Sequence, residues 1–231
     1  MLRSPSLVER GLGGEAYMED FKYVARRKKL VEELERKGIK DKTTLDAIGK
    51  VQRQCFVNVS VVDDAYLDKA LPIGLGQTIS QPYTVAVQTE LLSVKPKEKV
   101  LEVGTGSGYQ AAVLAKCGVE LYTIERQKEL FESTREKLKS LGYKVHCVFG
   151  DGFEGLPEQA PFDKIIITAG APEIPEKLLR QLKVGGIMVA PIGESGRQQM
   201  FRIVRVSDTD FEKKKFGDFS FVPMLSGIVG K

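Results

Sequence analysis

The stretch VLEVGTGSGYQ, residues 100–110, decides the fold of this 231-residue chain. It begins as an apolar run that favours a β-strand, and it ends in a turn that carries Gly104, Gly106 and Gly108. Because glycine lacks a Cβ, such a turn can bend sharply and let the backbone approach a ligand. The stretch therefore predicts a strand, a ligand-binding turn and the start of a helix.

The sequence on either side of the turn continues this alternation of strands and helices. The predicted strands are residues 99–103, 120–125, 145–149, 164–168 and 187–191, and the predicted helices between them are residues 109–116, 127–141 and 175–181. Strands with near-continuous apolar character between helices are typical of a parallel sheet that is covered on both faces. We therefore predict a doubly wound α/β fold with a mostly parallel, Rossmann-like sheet.

A helical preface and an active-site loop are predicted over residues 18–96. Apolar spacing favours an amphipathic helix over residues 18–37, and a second helix is predicted to begin where Thr43 can cap and Asp46 occupies the third position. Residues 71–82 have a loop composition and lead into a helix over residues 82–92. Residues 1–17 are predicted to be a flexible arm, because they contain few large apolar side chains. A start site at Met18 is a hypothesis.

The remaining residues complete a single domain over residues 18–231. Residues 97–191 form the predicted cofactor-binding core, and residues 192–231 form a C-terminal antiparallel hairpin. Its strands are predicted over residues 199–206 and 216–223, joined by a charged turn over residues 208–215. Arg202 and Arg205 are expected to face water.

Composition and charge exclude several classes of protein. The chain is 42% hydrophobic and 29% charged, with a net charge of +4, and has no apolar run of membrane-spanning length. Its basic clusters, residues 26–29 and 213–215, are interpreted as a solvated helix face and a solvated hairpin turn, so no nucleic-acid partner is expected. Three cysteines at wide spacings, Cys55, Cys117 and Cys147, match neither a zinc motif nor a disulfide framework. We expect a cytoplasmic protein without a metal.

Two acidic residues follow the strands next to the glycine turn. Glu125 ends the second predicted strand, where nucleotide-binding folds place an acid that accepts hydrogen bonds from ribose, and Asp151 follows the third. These carboxylates would repel phosphates, so a positively charged, phosphate-free cofactor suits them better. The GxGxG spacing, with Tyr109 at the next position, also fits a nicotinamide dehydrogenase poorly. The alternative is that both acids only stabilise helix N-termini.

Further motifs give the sequence a specific resemblance. Residues 100–110, Glu125 and Asp151 together resemble the cofactor motifs of class I methyltransferases. With LPIGLGQTISQPY at residues 71–83, GDG at 150–152 and APFD at 160–163, the chain resembles the protein-L-isoaspartate O-methyltransferase family over about residues 53–223. The resemblance implies S-adenosyl-L-methionine as cofactor, S-adenosyl-L-homocysteine as product and L-isoaspartyl residues of damaged proteins and peptides as substrates. It adds no nucleic-acid or membrane partner, and we expect a monomer or weak oligomer.

The resemblance also implies the site residues. Ser80 becomes the candidate catalytic residue. The predicted cofactor-binding residues are Thr78, Ile79, Ser80, Gln81, Glu102, Gly104, Thr105, Gly106, Ser107, Gly108, Glu125, Asp151, Gly152 and Leu225. From composition alone, Ser80 or Gln81 would instead be a cap for the helix that begins at Pro82. The family commonly carries proline where this chain has Asn58, so the resemblance does not predict the conformation of the loop beside the substrate.

The implied reaction needs no strong general base. A carboxylate with a pKa near 4 is already ionised at pH 7, so it can attack the sulfonium methyl group directly. Ser80, as a neutral hydroxyl, suits orientation of that carboxylate. The only histidine, His146, lies inside a predicted strand and is interpreted as structural. The alternatives are a class I methyltransferase with another acceptor, such as a nucleic acid or small molecule, a cofactor-binding module without turnover, and a nicotinamide dehydrogenase.

Overall fold

The computed structural model of the protein describes residues 21–194 and 196–230. The predicted arm over residues 1–17 and the first residues of the predicted helix 18–37 lie outside this part of the chain. The helices are α1 Phe21–Arg36, α2 Lys42–Lys50, α3 Pro82–Leu92, α4 Tyr109–Lys116, α5 Lys128–Ser140 and α6 Glu176–Arg180. The strands are β1 Leu71–Gly74, β2 Gln77–Ile79, β3 Lys99–Val103, β4 Glu120–Glu125, β5 His146–Phe149, β6 Phe162–Ile167, β7 Leu182–Ile192, β8 Gln198–Arg205 and β9 Phe211–Phe219.

The central sheet has seven strands in the order β5-β4-β3-β6-β7-β8-β9. Strands β3 to β7 pair in parallel, and β8 and β9 add antiparallel strands at one edge. The chain runs outward from β3 through β4 to β5 and then returns to the other side of β3 with β6. The predicted doubly wound fold is therefore confirmed, with its topological switch point between β3 and β6, where such sheets bind ligands.

Apolar side chains cover the sheet on both faces. Successive residues of a strand point to opposite faces, so Val100 and Ile166 enter one apolar cluster while Leu101 and Ile165 enter the other. The first cluster joins helices α1 to α4 to the sheet, and the second lies beneath α6. Burial on both faces explains the near-continuous apolar character of these strands.

The N-terminal segment departs from prediction at three places. The cap of α2 is Asp41 rather than Thr43, because the Asp41 carboxylate accepts hydrogen bonds from the backbone N–H groups of residues 43 and 44. Arg27, predicted on a solvated helix face, is buried and donates to the Gly49 carbonyl at 2.7 Å. Residues 71–79, predicted as a loop, form the small antiparallel β1–β2 hairpin.

The C-terminal hairpin exists, but its turn is shorter than predicted. Strand β9 begins at Phe211, so Lys213, Lys214 and Lys215 are exposed residues of an edge strand rather than of a turn. Arg202 and Arg205 were expected to face water, yet their guanidinium groups donate to backbone carbonyls of residues 91 and 182. No helix among the described residues is long and apolar enough to cross a membrane.

Candidate active site

A pocket opens at the carboxyl ends of the central strands. The glycine turn after β3 forms its floor, the ends of β4 and β6 form its sides, and the β1–β2 hairpin and a C-terminal segment close over it. Its lining comprises Gln77, Thr78, Ile79, Ser80, Val85, Val103, Gly104, Thr105, Gly106, Ser107, Tyr109, Gln110, Ile124, Glu125, Arg126, Gln127, Gly152, Thr168, Ala169, Val222, Pro223, Met224 and Leu225. The pocket thus lies at the switch point that the topology indicates.

The glycine turn brings its backbone against the neighbouring strands. Gly104 has a φ of 99°, and a Cβ on it would lie 2.6 Å from Oγ1 of Thr168. Thr168 Oγ1 donates to the carbonyl oxygens of Val103 and Gly104, at 3.0 and 2.6 Å. Only glycine therefore fits at the point where the chain leaves β3.

Glu125 anchors the other side of the turn. Its two carboxylate oxygens accept hydrogen bonds from the backbone N–H groups of Gly106, at 3.0 Å, and Gln127, at 2.9 Å. A carboxylate oxygen can accept more than one hydrogen bond, so Glu125 retains acceptor capacity toward the pocket. Nucleotide-binding folds place an acid that accepts hydrogen bonds from ribose hydroxyls at this position.

Glu102 lies beneath the turn and is fully buried. Thr123 Oγ1 donates to Glu102 Oε2 at 2.6 Å, and Thr123 also pairs with the hydroxyl of Thr105. Burial raises the pKa of Glu102 to about 8, although the Thr123 hydrogen bond opposes the rise and the Glu125 charge adds to it. Glu102 is therefore mainly protonated at neutral pH and supports the turn without adding a charge.

A C-terminal strap, residues 222–229, crosses the edge of the pocket. Asp151 Oδ2 accepts from the backbone N–H of Gly227 at 2.5 Å, and the Arg126 guanidinium donates to the carbonyls of Ser226 and Gly227. Nearer the pocket, the backbone of Gly170 exchanges hydrogen bonds with residues 222 and 224. These contacts hold the end of the chain over the central strands.

Ser80 lies between this pocket and a second groove. It follows β2, and its hydroxyl has no hydrogen-bond partner among the described residues. The first free N–H groups of α3 are not capped by Ser80 or Gln81: the N–H of Tyr83 donates to the Asp68 carboxylate at 2.7 Å. The cap interpretation of Ser80 is therefore wrong, and its hydroxyl remains available to a ligand.

The second groove adjoins the pocket through shared residues. The pocket and the groove are both bordered by Thr78, Ser80, Thr168 and Val222. The groove continues between the start of α3 and the end of β9, and it is lined in addition by Ala70, Gln81, Tyr83, Thr84, Gly196, Arg197, Phe216, Gly217, Asp218, Phe219, Ser220 and Phe221. A ligand in the pocket and a second one in the groove would meet at Ser80.

The structure gathers most of the predicted site residues around the pocket. Those in its lining are Thr78, Ile79, Ser80, Gly104, Thr105, Gly106, Ser107, Glu125, Gly152 and Leu225. Outside that lining, Gln81 borders the groove and donates to Asp68. Gly108 packs against α5, where a Cβ would lie 2.8 Å from Thr134. Glu102 and Asp151 support the turn and the strap.

Several lining residues escaped the sequence analysis. Arg126 and Gln127 follow Glu125 directly, and Thr168 follows β6, so their place at a strand end was a usable signal. Tyr109, singled out only because it breaks a dinucleotide motif, is buried against Phe56. Met224 was not among the predicted site residues, although its neighbour Leu225 was, and long-range packing brings both to the pocket.

Two other residues that the sequence singled out lie away from the lining. His146 is exposed at the beginning of β5, where it stacks on Tyr122 with ring centroids 4.5 Å apart. Asn58, at the position where proline is common, places its side-chain nitrogen 3.5 Å from the Pro72 carbonyl of β1. Among the described residues, no group of three or more His, Cys, Asp or Glu side chains could hold a metal ion.

Comparisons with known proteins agree on one family. Residues 25–228 match the family model "Protein-L-isoaspartate(D-aspartate) O-methyltransferase (PCMT)". The chain is 57% identical over 205 residues to a protein-L-isoaspartate O-methyltransferase of Flavobacterium psychrophilum, covering 88% of this chain and 96% of the relative. It is 50% identical over 203 residues to one from Dictyoglomus thermophilum, covering 87% and 92%.

Two solved structures of the same family resemble the chain over most of its length. One protein-L-isoaspartate O-methyltransferase has a TM-score of 0.78 and 28% identity over 87% of this chain and 67% of its own. A putative member from Plasmodium falciparum, solved in complex with S-adenosyl-L-homocysteine, has a TM-score of 0.75 and 27% identity over 86% of this chain and 98% of its own. The family match covers the pocket, the Ser80 segment and the groove, and the chain belongs to the protein-L-isoaspartate O-methyltransferase family.

Proposed function

We propose that the chain transfers a methyl group from S-adenosyl-L-methionine to the free carboxylate of L-isoaspartyl residues in damaged proteins and peptides, which initiates their repair. Membership of the family supports both the reaction and the cofactor. The observation on this molecule that carries the proposal is the unengaged Ser80 hydroxyl at the junction of pocket and groove. The pocket would hold the cofactor, and the groove would hold the polypeptide that carries the acceptor.

The residues of the pocket fit this cofactor. Glu125 would accept from ribose hydroxyls, and the glycine turn would let the cofactor approach the backbone closely. Arg126 is the only basic side chain in the described lining, and two of its guanidinium nitrogens donate to carbonyls of the strap, so the pocket has no cluster of cations for phosphates. When bound, S-adenosyl-L-methionine supplies an electrophilic sulfonium methyl group. The predicted residues of the pocket lining, from Thr78 to Leu225, are our proposed cofactor contacts.

The chain itself would align the acceptor and exclude water. The Ser80 hydroxyl donates to one oxygen of the substrate carboxylate and directs the other toward the pocket. No histidine, lysine or cysteine among the described residues lines the pocket or groove, so the protein offers no conventional strong base there. A carboxylate acceptor needs none, since it is ionised at neutral pH. Acceptors that must lose a proton, such as amines, would fit this site less well.

The substrate class is tested with two peptides that differ only in the linkage of one aspartyl residue. The purified chain is incubated with methyl-labelled S-adenosyl-L-methionine and either the L-isoaspartyl or the normal L-aspartyl peptide. We expect base-labile methyl ester on the isoaspartyl peptide alone. Equal labelling of both peptides, or labelling of neither, would overturn the proposal.

The role of Ser80 is tested by Ser80→Ala. Loss of one well-placed hydrogen-bond donor commonly lowers kcat by about 100-fold or more. We expect such a loss with S-adenosyl-L-homocysteine affinity within about threefold of wild type, since the remaining pocket contacts persist. Ser140→Ala, at the exposed end of α5, is the matched control. Wild-type kcat in Ser80→Ala would exclude the orienting role.

The setting of the reaction belongs to the same proposal. We propose a cytoplasmic protein that acts as a monomer or weak oligomer, without a nucleic-acid or membrane partner. Free thiols at Cys117 and Cys147 agree with a reducing compartment. Light scattering during size-exclusion chromatography measures the oligomeric state, and a stable large assembly would contradict this expectation.

A further inference from the structure

Arg53 is a fully buried arginine outside the set of predicted site residues. It begins a 3₁₀ turn, Arg53–Phe56, and its side chain has no accessible surface. Its guanidinium forms no salt bridge with a carboxylate of the described residues, although the buried Asp68 carboxylate lies close enough to favour its charge. The guanidinium remains charged at physiological pH. Burial of an unpaired charge is costly and calls for an explanation.

Two of the three contacts of Arg53 lead to the active site. Nη2 donates to the backbone carbonyl of Ser80 at 2.8 Å, and Nε donates to the carbonyl of Ala65 at 2.8 Å. The guanidinium carbon lies 4.5 Å from the ring centroid of Tyr109. Tyr109 is the first residue of α4, directly after the last glycine of the turn, and it lines the pocket. Arg53 therefore joins the Ser80 segment to the glycine turn.

The guanidinium also has an unused hydrogen-bond donor. Nη1 is buried and has no hydrogen-bond partner among the described residues. A purely structural link between two backbone segments would require neither a full charge nor an unsatisfied donor in the interior. A positive charge next to Ser80 that no direct ion pair neutralises would, however, favour an anionic acceptor in the adjoining groove.

We propose that Arg53 is a positioning residue for methyl transfer: it fixes Ser80 relative to the glycine turn, and its buried positive charge favours the substrate carboxylate. This inference rests on the proposed function, because it assigns Ser80 and the carboxylate their roles. It does not place Arg53 in contact with substrate. Its effect reaches the reacting groups through the Ser80 backbone and through the electrostatic potential in the groove.

Arg53→Met is the first test, since it keeps the length of the side chain and removes charge and donors. A displacement of Ser80 by about 1 Å is expected to lower kcat on the isoaspartyl peptide about 100-fold. Loss of the charge should also raise the KM for that peptide, while S-adenosyl-L-homocysteine affinity stays within about threefold of wild type. Arg53→Lys restores the charge without the planar fork, so its KM should return toward wild type while its kcat remains at least tenfold reduced.

Arg27→Met is the matched control. Arg27 is also a buried arginine that donates to a backbone carbonyl, but it lies on α1 and lines neither the pocket nor the groove. Both methionine variants should lose thermal stability, and only Arg53→Met should lose kcat per folded molecule. Wild-type kcat in folded Arg53→Met, or equal kcat losses in both variants, would overturn the inference. If Arg53→Met does not fold, wild-type kcat in Arg53→Lys would overturn it.

Hydrogen exchange separates this inference from the proposed function. Amides of residues 78–81 should exchange at least tenfold faster in Arg53→Met than in wild type, with no such change in Arg27→Met. This readout does not depend on turnover. An inactive wild type would defeat the proposed function, whereas unchanged exchange at residues 78–81 would defeat the role of Arg53.

Discussion

Gly104 and Gly38 have nearly the same φ angle in different surroundings. Their φ angles are 99° and 100°, both in a region that side chains rarely adopt. A Cβ on Gly104 would lie 2.6 Å from Thr168 Oγ1, whereas a Cβ on Gly38 would meet nothing within 4 Å. The pair therefore separates the cost of the backbone angle from the cost of crowding at the floor of the pocket.

The first prediction uses this pair. Gly104→Ala should lower the free energy of unfolding by about 2–5 kcal/mol, because it combines backbone strain with a steric clash. Gly38→Ala has the strain alone and should cost about 1–2 kcal/mol. Urea denaturation of both variants without ligand measures the two costs. Equal losses would show that Thr168 gives way and that crowding does not fix the turn.

Glu102, which lies beneath the same turn, makes the stability of the fold depend on pH. Burial raises its pKa to about 8, from an ordinary value of 4.5. Between these values the folded state holds a proton that the unfolded state releases, so this group's contribution to stability falls as the pH rises. The contribution is fully present below about pH 4.5 and is lost by about pH 8, at up to about 1.4 kcal/mol per pH unit.

The second prediction follows from this loss of stability with rising pH. Gln cannot ionise and keeps an acceptor for Thr123, so Glu102→Gln should remove this part of the pH dependence. From pH 5 to pH 8, wild type should lose stability relative to Glu102→Gln, measured by chemical denaturation at each pH. Glu132→Gln, an exposed site on α5, controls for removal of one negative charge. Parallel profiles for wild type and Glu102→Gln would refute the raised pKa.

The elements differ in how far sequence determines them. Strands β3 and β4 and helices α3 and α4 have the predicted bounds, because buried apolar runs and clear helix starts at Pro82 and after Gly108 mark them. The β1–β2 hairpin was missed because its strands have four and three residues. Three consecutive positive φ angles at Gly74, Leu75 and Gly76 join them. Strands this short show no measurable period.

The candidate site likewise contains residues that could be predicted from the sequence and residues that could not. Residues at the carboxyl ends of strands, such as Gly104 and Glu125, could be predicted because a parallel sheet brings those ends together. The strap could not, because Arg126 and Gly227 are 101 residues apart and meet only through tertiary packing. Arg53 was missed for a similar reason: its significance depends on complete burial and on its contact with Ser80.

The third prediction concerns the strap as an element. Arg126→Gln removes two hydrogen bonds to the strap, each worth about 1 kcal/mol, and the strap borders the pocket through Leu225. We expect S-adenosyl-L-homocysteine to dissociate about tenfold faster, as measured by stopped-flow displacement. Arg135→Gln makes the same substitution at an exposed site on α5. An unchanged dissociation rate in Arg126→Gln would show that the strap does not retain the cofactor.

The pocket joins distant parts of the whole molecule. Its lining draws on the β1–β2 hairpin, the turn after β3, the ends of β4 and β6, and the strap. The two apolar clusters share the same central sheet, and α2 is tied to α3 where Glu90 accepts from the backbone N–H groups of residues 40 and 41. We propose that these parts behave as one domain.

The last prediction tests whether these parts unfold as one domain. A ligand that binds only the folded state stabilises it by about 2.7 kcal/mol at 100 times its Kd. If the N-terminal preface, the sheet and the strap unfold together, S-adenosyl-L-homocysteine should shift one calorimetric transition upward without splitting it. Adenosine at the same concentration is the control, because it lacks the amino-acid portion of the ligand and should shift the transition less. Two transitions, of which the ligand moves only one, would show that the preface folds separately from the sheet that binds the cofactor.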